Sequence, residues 1–199
     1  MVGAGWAGDV GRANAPLLVG GFGMPWQRDL DFGSRFVCCA EDLDWPENVV
    51  VEDLSYSALH VLLRLQELRP AKVVVVTAAA RGEDVPGTLR RYAMGAEPPP
   101  PEEVHESLVE AVSGTIDLEQ TLAVLRYWDA LPRGSVLIEV EPRDTSPGLG
   151  LSEEVAARID DVLAAVREEL GSALAGSTGG VSEERIHTHL LGSGTPTAR

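Results

Sequence analysis

Residues 72–77 read KVVVVT, four consecutive valines with no polar residue among them. A strand with one wet face alternates apolar and polar side chains, whereas a continuous apolar run is buried on both faces. Such strands lie in largely parallel sheets covered on both sides by helices. This one stretch therefore selects an α/β architecture for the chain.

The remaining segments supply the other strands and the two helical layers. Residues 17–20 (LLVG, after Pro16), 49–51 (VVV) and 135–140 (SVLIEV) read as further strands. Residues 88–92 (TLRRY) have the charged alternation of an edge strand. Helices are expected at 34–40 with Ser34 as candidate cap, at 57–68 before Pro70, and at 102–111. In the 57–68 helix, Leu59, Leu62, Leu63 and Leu65 fall on a helical period. A further helix runs from Asp117 as N-cap to Ala130, and a last one over 152–170 is capped by Ser152. This order predicts a three-layer α/β/α sandwich with a mixed, mostly parallel five-stranded sheet. One domain is expected over residues 16–170, between a flexible N-terminus (1–15) and a flexible C-terminal tail (171–199).

The 31 acidic and 16 basic residues among 199 give a formal charge of −15, which repels a phosphate backbone and argues against nucleic acid as a partner. No apolar run approaches the roughly 18 residues of a membrane span, so no membrane partner is expected. The only cysteines, Cys38 and Cys39, are neighbours that rarely bridge each other, which excludes a disulfide framework and fits a reducing cytoplasm.

Chemistry is sought first in LLVGGFGMPWQRDLDFG, residues 17–33. A dinucleotide loop read from Gly21 needs a third glycine where Trp26 stands, and Pro25 spoils the helix start a pyrophosphate would need. A tight turn that lets the strand reverse is the better account of Gly20, Gly21 and Gly23. Asp29 and Asp31 lie at the presumed carboxyl edge of the sheet, where they suit a metal or a general base, or cap the next helix. Of the histidines, His60 sits in an apolar helix, His187 and His189 lie in the tail, and His105 alone is near a segment that can face the site. No Cys/His cluster has zinc spacing and no serine sits in a G-x-S-x-G elbow.

Four blocks occur in order: residues 17–33, VVVEDLSYSALHVLL (49–63), KVVVVTAAARGEDVPGTLRRY (72–92) and VLIEVEPRDTSPGLGLSEEV (136–155). Together they resemble the hydrogenase maturation proteases, endopeptidases that trim the C-terminal tail of the large subunit of nickel–iron hydrogenases. The resemblance implies three metal ligands, which fall on Leu30, Thr77 and Gly114; none of these can serve. Met24 stands at the family's asparagine, Asp31 at a glycine, and Leu54 and Ser55 at the glycines of the second block. Asp29 or Asp31 by a register shift, and His105 by an insertion, are the replacements on offer, with none for the position of Thr77.

The expected protein is therefore a protease-like family member without peptidase activity. It would bind a protein, such as a hydrogenase large subunit, in a groove around Asp29, Asp31, Asp53, Thr77 and His105. No catalytic residue, metal ligand or cofactor is assigned. The alternative is an active, metal-assisted endopeptidase with a site rearranged on Asp29, Asp31 and His105, for which nickel would be required. A small-molecule binding protein using the same pocket is a third reading. A monomer or weak dimer is expected.

Overall fold

Five strands form one sheet in the order β2-β1-β3-β5-β4. They are β1 (Leu17–Phe22), β2 (Val49–Asp53), β3 (Lys72–Ala78), β4 (Leu89–Ala93) and β5 (Val136–Val140). β1 pairs in parallel with β2 and β3, and β3 with β5; β4 runs antiparallel on the outer side of β5. The computed structural model of the chain describes residues 15–178 apart from 83–84, 96, 103, 106–108 and 110–115, with the backbone alone for 174–178. The mixed, mostly parallel sheet is thus as the valine run requires, and the charged edge strand is β4.

Alternation along the central strands divides the core in two. Leu17, Val19, Val74, Val76, Ile138 and Val140 pack against α1 (Phe32–Ala40) and α5 (Ile159–Thr178), through Phe32, Phe36, Val37, Val162 and Val166. Leu18, Phe22, Val73, Val75 and Leu137 face α2 (Ala58–Leu68) and α3 (Leu118–Tyr127), through Val61, Leu62, Leu65, Leu122 and Leu125. A buried Phe36 removed to alanine would cost about 3–5 kcal/mol, from the lost burial of the ring and the cavity left beside the sheet.

Several local expectations change. Gly20 and Gly21 lie inside β1, not in a reversing turn. They are small because other atoms press on them: a Cβ on Gly20 would overlap Leu54, and one on Gly21 would overlap the carbonyl of Gly33 and the side chain of Val37. α1 starts at Phe32, with Ser34 inside it. The Ser34 hydroxyl instead meets the Ser55 hydroxyl at 2.9 Å, and Ser55 also accepts the Gly23 N–H. On α2 the buried face is Ala58, Val61, Leu62 and Leu65, spaced i, i+3, i+4, i+7, so Leu59 and Leu63 are exposed. His60, on the same outer side, lies against Tyr56 with ring centroids 4.8 Å apart.

Asp117 does cap α3, its side chain accepting the Gln120 N–H, and Ser57 caps α2 through the His60 N–H. The expected helix over 152–170 is broken into α4 (Glu153–Ala156) and α5, and α5 runs past residue 170 to Thr178. Ala173 packs against the core beyond the expected domain end, and just inside that end Glu169 binds Lys72 on β3 and Arg91 on β4, at 2.6 and 3.2 Å. The helix expected at 102–111 is only partly described; residues 101, 102, 104, 105 and 109 are helical. Residues 1–14 and 179–199, with His187 and His189, lie outside the described residues. Cys38 and Cys39 are free and exposed on α1. Among the described residues no helix is long and apolar enough to cross a membrane.

Candidate functional site

The loop after β1 ends in a 3-10 turn, Arg28–Asp31, whose position is set by one carboxylate. Asp29 is 0% exposed. Its Oδ2 accepts the backbone N–H groups of Arg143 and Asp144 and the Ser152 hydroxyl, each at 2.9 Å, and its Oδ1 accepts the Ser152 N–H at 2.6 Å. Four donors fill a carboxylate's acceptor sites. Asp29 is therefore an internal staple and not a groove carboxylate. It explains why Ser152 makes no cap with its side chain: the hydroxyl is already spent on Asp29. The backbones of the two loops also zip together, with Asp29 N–H donating to Asp144, Arg28 N–H to Gly148, and Gly148 N–H to Trp26.

Asp31, Asp53 and Thr77 are scattered along the carboxyl edge. Asp31 is mostly buried and pairs with Arg35, one turn along the helix, at 2.9 Å. Asp53, at the end of β2, accepts the Ser55 N–H at 2.9 Å and shapes the turn there. Thr77 is buried near the end of β3, and its hydroxyl donates to the Ala78 carbonyl at 3.4 Å. His105 is exposed on the partly described helix. Of these, the 3-10 turn that carries Asp29 and Asp31 lies against β3.

Sequence reasoning passed over the group that β5 brings to this edge. Thr77 is in register with Glu139 on β5, and Glu139 is in register with Arg90 on β4. Glu139 is 2% exposed, on the α2/α3 face with Leu137. Arg81 binds it through both ends of the guanidinium fork, Nε to Oε2 at 3.1 Å and Nη2 to Oε1 at 2.5 Å. The same Nη2 reaches Glu119 on α3 at 3.2 Å. The hydrogen bonds that Arg81 donates to Glu139 raise its guanidinium well above its ordinary range, against the opposing effect of burial. The one sequence signal was a glutamate inside an apolar, doubly covered strand, VLIEV.

Beside this group a cleft of about 360 Å³ opens between β4 and α3. It is lined by Arg81, Arg90, Arg126 and Glu119 together with the apolar Leu122 and Leu137. None of Asp29, Asp31, Asp53, Thr77 and His105 lines it.

The donor set described does not fit a metal ion. At the positions that the resemblance gives to ligands, Leu30 offers a hydrocarbon and Thr77 only a neutral hydroxyl, a poor set for a transition metal such as nickel, which favours imidazole, carboxylate or thiolate donors. Gly114 lies outside the described residues. Among the described residues no three or more His, Cys, Asp or Glu side chains are grouped to hold a metal.

The chain is similar to proteins of one kind. A family model described as hydrogenase maturation protease matches residues 38–169, more than half of the chain. The crystal structure of a hydrogenase 2 maturation peptidase from Thaumarchaeota archaeon SCGC_AB-539-E09 is 27% identical with a TM-score of 0.57, over 78% of this chain and 98% of that one. The hydrogenase maturating endopeptidase HybD from Escherichia coli is 25% identical with a TM-score of 0.57, over 77% of this chain and 93% of that one. The solution structure of an endopeptidase from Escherichia coli, at 22% identity and a TM-score of 0.61 over 79% and 93% of the two chains, shares the fold. No curated protein matches the chain in sequence. With a family model matching more than half of its length, the chain belongs to the hydrogenase maturation protease family.

Proposed function

We propose that this chain is a protein-binding member of its family without peptidase activity, and that its partner is a hydrogenase large subunit. The observation that carries the reading is the contrast at the carboxyl edge of β3. Asp29 holds the two loops of the described scaffold together, yet Leu30 and Thr77 stand at the positions that the resemblance gives to ligands. A peptide carbonyl attacked by water needs a Lewis acid or an oxyanion donor set to take the developing charge. A leucine and a threonine hydroxyl committed to its own strand supply neither.

A docking role finds support on the same edge. Trp26 and Leu149 are 68% and 61% exposed, on the two loops that the Gly148–Trp26 hydrogen bond joins. Trp26 and Arg28 also adopt positive φ values of 69° and 43°, a backbone cost that the Asp29 staple sustains. Exposed aromatic and aliphatic side chains held on a rigid frame are the usual anchors of protein interfaces. The test is co-elution of the full chain with a hydrogenase large-subunit precursor. A complex weakened about tenfold or more by Trp26→Ser supports the reading, and no complex at tens of micromolar overturns it.

A further inference from the structure

Glu139 presents a problem that the fold solves with one residue. It stands on an internal strand at 2% exposure, where a carboxylate is tolerated only with a cation and hydrogen bonds at hand. Arg81 meets both oxygens in the bidentate geometry that guanidinium and carboxylate share. Its position is fixed from the backbone as well. The N–H groups of Arg81 and Gly82 donate to the Glu141 carboxylate at 3.4 and 3.1 Å, and Gly82 turns the chain at a φ of 68°. Glu139 on β5 and Glu141 just after it, both buried, thus hold the side chain and the backbone of the same residue.

We propose that the Arg81 guanidinium is the resident cation of this edge, bound to the sheet partner of Thr77, and that it closes Glu139 and Glu119 to divalent metals. The proposal deepens the reading above and rests on it for the absence of a metal-assisted step. Three features argue for it. Glu139 is the sheet partner of Thr77, so the only buried carboxylate on the α2/α3 face at this level of the sheet, among the described residues, is adjacent to the missing ligand. The fork occupies both Glu139 oxygens, and the second carboxylate, Glu119, is 62% exposed, so an entering ion would find one committed ligand and one loose one. A guanidinium also stays charged at every pH at which the chain folds, so this cation needs no supply.

The test uses the full chain carrying His187→Ala and His189→Ala, which removes imidazoles able to bind metal elsewhere, and reads the thermal midpoint. Manganese(II) is the probe because it prefers oxygen ligands. Millimolar manganese is expected to leave the midpoint of this parent unchanged. Arg81→Ala should lower it by about 10 °C and make it respond to manganese or to methylguanidinium, a response lost when Glu139→Gln is added. Should Arg81→Ala alone not fold, the Arg81→Ala/Glu139→Gln pair should fold and recover most of the midpoint, because cation and buried carboxylate leave together. Manganese stabilising the parent as much as the Arg81→Ala variant would overturn the assignment. So would an Arg81→Ala midpoint equal to the parent's, or a double variant no better than the single one. None of these readouts involves peptide cleavage, so an active peptidase would refute the preceding reading without moving them.

Discussion

The carboxylate of Asp29 accepts both the backbone N–H and the hydroxyl of Ser152, 123 positions further along the chain, at 2.6 and 2.9 Å. This pair, with the amides of Arg143 and Asp144, fastens the loop after β1 to the loop after β5. Asp29→Ala would leave three part-buried amides and the Ser152 hydroxyl without their acceptor and is expected to cost about 3 kcal/mol in urea unfolding. Ser152→Ala, which removes only the hydroxyl, should cost about 1 kcal/mol. The two losses should be strongly non-additive, since the double variant has no second bond to break.

Gly33 is a matter of space. A Cβ there would overlap the backbone nitrogen and oxygen of Phe22, which cannot move without shifting β1. Gly33→Ala is expected to cost more than about 3 kcal/mol or to yield insoluble protein. Gly95→Ala, where a Cβ meets nothing within 4 Å, is the control and should stay within about 0.5 kcal/mol of the parent in the same unfolding assay.

Asp144 gives the acid limb of stability a visible contribution. Its carboxyl is held below the usual range first by the Ser146 hydroxyl and then the Ser146 amide, with Arg28 and Arg143 adding their charge. A depressed folded value means that the unfolded chain binds more protons in acid, so this stability falls as the pH drops. It is fully present above the ordinary carboxylate value of about 3.9 and is lost through the lower folded one. In urea unfolding across pH, the gap between the parent and Asp144→Asn should stay constant above about pH 5 and close below about pH 4.

What could be read in advance followed from local rules. The valines of 72–77 demand two covered faces, and the alternation of Val73 and Val75 against Val74 and Val76 then assigns the helices to two layers. Asp117 caps its helix as expected, because a cap is decided within three residues. Asp29 was legible as important but not as a staple, since its donors lie more than a hundred residues away. Ser34 and Ser152 look like caps until tertiary partners claim their hydroxyls. Glu139 and Arg81 are separated by 58 positions, and nothing in either segment announces the other.

The central claim is that the family scaffold persists here without peptide cleavage. The direct measurement is the intact mass of a nickel-loaded hydrogenase large-subunit precursor after incubation with stoichiometric full-length chain. The precursor is expected to keep its mass and to remain bound to the chain. A shortened precursor, appearing with the parent and not with Asp31→Ala, would contradict it.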